Sequence, residues 1–272
     1  MRELAAVLRN RNMVLLLAGR LISTGGDWIY NIALSIAIYQ YGHGQTFLIS
    51  LFWLIKLVPS LAFGPLSGSL ADRLGYRRSM ILSDVGRMVL VAALALVLSG
   101  STWLVIYPVA FLVTSLSTLF SPASTGIIPS LVGSKEERLA GNAAILQVGS
   151  IAMIAGSAIG GVVAGVGHIA PLLFIEAASF GISALSLAFI RPHRPAVTTD
   201  EAEEDEEEEI AADEPGGYLG SYRMLARRPI LLFSASVLAL PELASGATVV
   251  WIVPYAEAHQ YLNMGSSGVG YL

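Results

Sequence analysis

Gly68-Ser69-Leu70-Ala71-Asp72-Arg73-Leu74-Gly75-Tyr76-Arg77-Arg78 decides how the rest of this chain is read. Apolar runs flank it on both sides, roughly 47–70 before and 79–99 after. A helix needs about 20 largely apolar residues to cross a bilayer. Both flanks reach that length, so the stretch is a charged break between two membrane spans. Gly68 would let the preceding helix approach a neighbour closely, as small residues do in membrane packing. Gly75 permits a tight turn. Asp72 can accept from Arg77 or Arg78, or sit at a helix N-terminus. Arg73, Arg77 and Arg78 mark the break as cytoplasmic, because short loops rich in Lys and Arg stay inside.

Working outward, the same length test gives seven candidate spans: roughly 13–40, 47–70, 79–99, 102–124, 140–166, 170–190 and 229–253. The runs are continuous, unlike the alternating segments of about ten residues in a membrane barrel. Basic residues occupy alternate breaks. Arg2, Arg9 and Arg11 precede the first span, Lys135 and Arg138 lie in the fourth break, and Arg191, Arg194, Arg223, Arg227 and Arg228 follow the sixth span. The intervening breaks (YGHGQT, SGST and the one at His168) carry no Lys or Arg. This is the pattern of a multi-pass helical membrane protein with a cytoplasmic N-terminus. The first apolar run continues past residue 35 without a small-residue cleavage site, so it is not a removable signal.

Composition agrees. The chain is 54% hydrophobic and 13% charged, with mean hydropathy +0.67. A soluble domain carries about 25% charged residues. The formal charge of −4 is local in origin, since nine of the 20 acids fall in Asp200–Glu209. With Pro192, Pro195 and Pro-Gly-Gly at 215–217, residues 191–228 cannot bury enough apolar area to fold and read as a disordered cytoplasmic linker. The expected fold is an all-α membrane protein. Residues 1–190 form a six-helix bundle, 191–228 the linker, and 229–272 a seventh helix with the start of an eighth. A weak repeat relates the first and seventh spans: each follows arginines and carries an acid, Asp27 and Glu242. Transporters are often built from two such halves around a midplane site.

The 68–78 stretch also resembles the signature loop of the major facilitator superfamily, Gly-x-Leu-Ala-Asp-Arg-x-Gly-Arg-Arg/Lys, with Tyr76 where a basic residue is usual. Gly19-Arg20-Leu21-Ile22-Ser23 with Gly26-Asp27-Trp28 is similar to the efflux permeases related to macrolide and enterobactin exporters. So are Phe120-Ser121-Pro122-Ala123, Ile128-Pro129-Ser130-Leu131-Val132, Ala140-Gly141-Asn142 and Glu176-Ala177-Ala178-Ser179-Phe180. The resemblance implies a major facilitator fold of twelve helices, of which this chain holds the N-terminal six-helix bundle and the start of the C-terminal bundle, truncated. It implies a loop that grips the other half when the cytoplasmic side closes. Gly149, Gly156, Gly160, Gly161 and Gly165 in the fifth span resemble the family's antiporter motif without its proline; close helix packing explains them equally.

Ionisable groups inside spans are costly and face a cavity or a partner. Here they are Arg20, Asp27, Lys56, Arg87, Glu176 and Glu242. Arg20, Ser23/Thr24, Asp27 and Tyr30/Asn31 follow a helical stripe and read as cavity-lining. Asp27 can pair with Lys56. It is either the protonatable coupling carboxylate or half of a fixed bridge. Asp84 and Arg87 are expected to brace the signature loop. Glu176 faces the cavity or bonds a neighbouring helix. Glu242 follows Pro241, which can bend its helix into a cavity wall. Trp28, Trp53, Trp103 and Trp251 form no evident cage, and Trp103 reads as an interface anchor.

The sequence has no Gly-x4-Gly-Lys-Ser/Thr loop for ATP, no His-Glu-x-x-His, no cysteine, no gathered Ser/His/Asp set and no basic-aromatic surface for nucleic acid. It is expected to be no enzyme and to need no metal or cofactor. Its expected partners are lipid, a small-molecule substrate, protons, and a missing C-terminal half or second chain. The expected function is proton-coupled export of an amphipathic, drug- or macrolide-like molecule. A siderophore or metabolite exporter of narrow specificity, and a truncated non-transporting membrane protein, are the alternatives.

Overall fold

The computed structural model describes residues 2–98, 101–164, 169–191, 244 and 246–255. Glu242, Gly165, the linker 192–228 and the start of the eighth span lie outside the described residues. Within them the chain is helical: α1 (Arg2–Arg9), α2 (Arg11–Tyr41), α3 (Thr46–Leu74), α4 (Tyr76–Val97), α5 (Ile106–Gly126), α6 (Lys135–Ala164), α7 (Ile169–Ala188) and α8 (Gly246–Tyr255). No described residue is in a strand.

Several boundaries differ from the sequence-based expectation. The charged break at 68–78 shrinks to one residue. Arg73 lies in the last turn of α3, Arg77 and Arg78 in the first turn of α4, and Gly75 alone turns between them at φ 82, ψ 130. That left-handed φ costs glycine little. Lys135 opens α6 rather than lying in a break, with Glu136 and Glu137 in its first turn, where acids favour the helix dipole. Helix α1 was not anticipated. Asn10 separates it from α2 and caps α2, its side chain accepting from the Asn12 N–H at 2.9 Å and the Met13 N–H at 3.3 Å.

Five described stretches are long and apolar enough to cross a membrane: Thr46–Gly64, Tyr76–Val97, Trp103–Gly126, Lys135–Val162 and Ile169–Ala188. Helix α2 spans 31 residues but is diluted by Arg20, Asp27 and Asn31. It can hold them because it is central. It packs on α6 and on α7, and Ile29–Ile38 are all buried. The outer helices show apolar side chains instead, with Leu96, Leu146 and Ile154 exposed at 77%, 73% and 69%. Such surfaces suit lipid, not water.

Neighbours in space are mostly not neighbours in sequence. Helix α4 packs on α7 and α5, and α3 packs on α5. Helix α2 meets α6 through glycine. A Cβ on Gly156 would lie 2.8 Å from Trp28 Cβ, and one on Gly160 would lie 3.0 Å from Ile29 Cα. These two residues serve close packing. Gly68 does not: a Cβ there meets nothing within 4 Å. The expected close approach at Gly68 is absent among the described residues, because no described helix lies against that face.

Two apolar clusters fill the bundle. One, towards the arginine-bearing end, contains Met13, Leu17, Met80, Leu119 and Leu187. The other contains Ile29, Val91, Val113 and Phe180. The sequence order on α2, α4, α5 and α7 places a polar layer between them, holding Ser23, Asp27, Asp84, Arg87, Ser117 and Ser183.

A polar cavity and a buried ion layer

A cavity of about 1080 Å³ opens between α2, α3, α5 and α8. Its α2 wall is Thr24, Asp27, Trp28, Tyr30 and Asn31; its α3 wall includes Trp53, Lys56, Ser60 and Ser67. The α5 wall is a run of hydroxyls, Thr114, Ser117, Thr118, Ser121 and Thr125. Those positions recur every three or four residues, one face of a helix. The sequence carried that signal, but an apolar background of Val, Leu and Phe concealed it. Several hydroxyls are turned back on their own helix: Ser117 donates to the Val113 carbonyl at 3.0 Å and Thr118 to that of Ser115 at 2.7 Å. Such bonds are what a hydroxyl makes in an apolar span, and they leave its lone pairs to the cavity.

Asp27 and Lys56 both line the cavity. Lys56 Nζ donates to Asn31 Oδ1 and sits 4.9 Å from the centre of the Trp53 ring and 5.5 Å from that of Phe52. Trp53 and Trp28 are both part of the cavity wall, although no spacing in the sequence groups them. Trp53 also receives α8, since a Cβ on Gly246 would lie 3.1 Å from Trp53 Cβ. Arg20 is corrected. It does not line the cavity; its Nη1 donates to Ser124 Oγ at 2.6 Å, tying α2 to α5.

Arg87 is the centre of the ion layer. Its side chain is 2% exposed and Asp84 beside it 0%, whereas Asp27 is 29% exposed. Arg87 Nη2 donates to Asp84 Oδ1, and Nη1 to Asp27 Oδ2 at 3.4 Å and Ser117 Oγ at 3.3 Å. The guanidinium centre lies 4.2 Å from the centre of the Phe180 ring and 5.1 Å from that of Phe120. One cation thus joins α2, α4, α5 and α7. The expected bracing of the 68–78 loop by Asp84 and Arg87 is corrected: their partners lie in the bundle interior. Glu176 is also away from the cavity. It is fully buried on α7 against Gly26 of α2, where a Cβ would overlap its carboxylate.

The 68–78 stretch itself faces α5 and α7. Arg77 Nε donates to the Leu187 carbonyl at 3.0 Å, and its Nη2 to that of Ala188. Both lie in the last turn of α7, where carbonyls lack i+4 helical partners; the Leu187 carbonyl also accepts from the Ile190 N–H at 3.2 Å. Asp72 is exposed near the C-terminal end of α3, not at a helix N-terminus, and Arg77 points elsewhere. The Tyr76 ring lies against Gly126, where a Cβ would come within 2.5 Å of it. An aromatic residue at 76 thus packs the α4 start onto the α5 end. Beside it, Asn12 donates to the Arg191 carbonyl at 2.9 Å and accepts from the Arg191 N–H at 3.2 Å.

A family model of the Major Facilitator Superfamily matches residues 16–272. The chain belongs to that superfamily, a family of multi-pass membrane transporters rather than enzymes. One curated relative is an uncharacterized MFS-type transporter, YfiS, of Bacillus subtilis (strain 168), 31% identical over 188 residues. The match takes in 66% of this chain and 42% of the relative, so it spans less than half the length of that protein.

Proposed function

We propose that the protein is a secondary active transporter that exports an amphipathic small molecule by alternating access, with Asp27 coupling export to protons. One observation carries the reading. A cavity wide enough for a drug-sized ligand has on its wall an acid that shares a buried arginine with a second acid. Loss of a proton from Asp27 strengthens its hold on Arg87, and gain of one releases it. Either event changes the cavity wall on α2. Trp28 and Trp53 offer flat apolar faces, while the α5 hydroxyls and Lys56 offer polar contacts, which suits an amphipathic molecule.

The domain plan fits this reading: a bundle over 1–190, a linker over 191–228, and the opening helices of a second bundle over 229–272. Transport requires that second bundle, from the whole protein or from a second chain. Gly68, Asp72, Arg73, Gly75, Arg77 and Arg78 form the cytoplasmic latch. Arg77 holds it to α7, and exposed Asp72 and the open face of Gly68 are available to the other half. The charge alternation puts the N-terminus in the cytoplasm of a bacterial plasma membrane.

The test is proton-gradient-driven accumulation of a fluorescently labelled macrolide in inverted membrane vesicles containing the whole protein. Accumulation that collapses with an uncoupler and is absent in Asp27→Asn supports the reading. Proton-driven export that survives Asp27→Asn removes Asp27 from coupling. Vesicles that ignore the macrolide but expel a siderophore point to the narrow-specificity exporter.

A further inference from the structure

Glu176 is a fully buried acid on α7 that the cavity does not use. The salt bridges of the ion layer run from Arg87 to Asp27 and to Asp84, and do not include it. Its hydrogen bonding is unusual in one respect. Ser179 Oγ lies 3.0 Å from Glu176 Oε2 and also 2.8 Å from the Glu176 backbone carbonyl oxygen. A serine hydroxyl has one hydrogen to give and lone pairs to receive with. An ionised carboxylate only accepts, so both glutamate oxygens would compete for that single hydrogen. A carboxylic acid protonated on Oε2 resolves the competition: it donates to Ser179 Oγ, and Ser179 donates to the carbonyl. Both short distances are then hydrogen bonds at once.

The surroundings point the same way. Glu176 Oε1 has no hydrogen-bond partner among the described residues. Leaving an ionised oxygen in that condition inside apolar packing is expensive. Leu172, Leu173, Ala177 and Phe180 of the same helix belong to the apolar cluster. The charged and titratable groups that act on Glu176 are Asp27 and Tyr30 of α2, Lys56 of α3 and Arg87 of α4. Gly26, whose missing side chain makes room for the carboxyl, immediately precedes Asp27. A shift of α2 that breaks the Asp27–Arg87 contact therefore also changes the space at Glu176.

We propose that Glu176 is a second proton-binding site, set between α2 and α7 and separate from the cavity acid Asp27. The ligand is a proton; nothing else is exchanged when Glu176 passes between acid and carboxylate. Its use in transport rests on the proton-coupled reading above, whereas the site itself stands on the Glu176–Ser179–Gly26 geometry.

Infrared difference spectroscopy of the whole protein in lipid tests it without any substrate. A protonated carboxyl gives a carbonyl-stretch band that a carboxylate lacks. The band should be present in the wild type and in Asp27→Asn and missing from Glu176→Gln, whose amide keeps the shape of the side chain. In Ser179→Ala it should move to higher frequency, because the acid loses its acceptor. A band unaltered in Glu176→Gln overturns the proposal. If that variant does not fold, a band of unmoved frequency in Ser179→Ala overturns it equally. Asp27→Asn separates the two readings: export uncoupled with the band intact leaves both standing, and export unaffected with the band intact removes only the role of Asp27.

Discussion

Replacing Gly156 with alanine adds one methyl group where α6 crosses α2. The new carbon would overlap the Gly25 carbonyl oxygen and lie 2.8 Å from Trp28 Cβ. Ordinary contact begins at 3.4 Å, so the Trp28 contact must give by about 0.6 Å and the Gly25 oxygen by more, and what lies opposite is a backbone and the root of a tryptophan. Overpacking of this kind costs about 1–3 kcal/mol. Alanine also favours a helix over glycine by about 1 kcal/mol, which offsets part of the loss. Gly149 lies on the same helix, and a Cβ there meets nothing within 4 Å. Gly149→Ala collects the helix gain without the clash. The helix term is common to both variants and cancels in their difference, leaving about 1–3 kcal/mol of steric cost. The assay is thermal unfolding of the detergent-solubilised protein, followed by size exclusion. Gly156→Ala should melt below Gly149→Ala, with Gly149→Ala at or above wild type. Equal melting temperatures would refute the claim that glycine at 156 sets the α2–α6 distance.

Three further outcomes are expected. Arg87→Met leaves Asp84 buried and unpaired and should destabilise the protein by about 3–5 kcal/mol; the double variant with Asp84→Asn should recover much of that in the same melting assay. Arg77→Ala removes the guanidinium from two carbonyls at the end of α7, leaving that of Leu187 with the Ile190 N–H alone, and should cost about 1–2 kcal/mol, read as earlier proteolysis or hydrogen exchange at residues 185–191 with the centre of α7 unaffected. The chain has no cysteine, so single cysteines report topology directly: one at Ser134 should react only with reagent admitted to the cytoplasm, and one at His43 with reagent added outside. Labelling on the opposite sides would overturn the assigned orientation.

The approximate limits of the described spans were legible in the sequence, because bilayer thickness fixes how long an apolar run must be. The turn at Gly75 was legible as well, since a left-handed φ between two helices leaves few residues to choose from. That Arg20, Asp27, Lys56, Arg87 and Glu176 must face inwards followed from the cost of charge in lipid.

Which of them meet did not follow. Asp27 lies 60 positions from Arg87 in sequence, and both helix order and rotation are needed to bring the two together. The packing of α2 against α6 and α7 sets them, and that depends on where Gly19, Gly26, Gly156 and Gly160 remove side chains on facing helices. Composition and periodicity show that a helix has a smooth face but not which partner fits it. The sequence by itself determined an all-helical membrane bundle with charges turned inwards. The tertiary structure alone decided that Arg87 is shared by two acids, that Arg20 and Glu176 stand away from the cavity, and that the α5 hydroxyls form its wall. Contacts between distant helices are settled by shape complementarity across the whole bundle, and no local stretch of sequence contains that information.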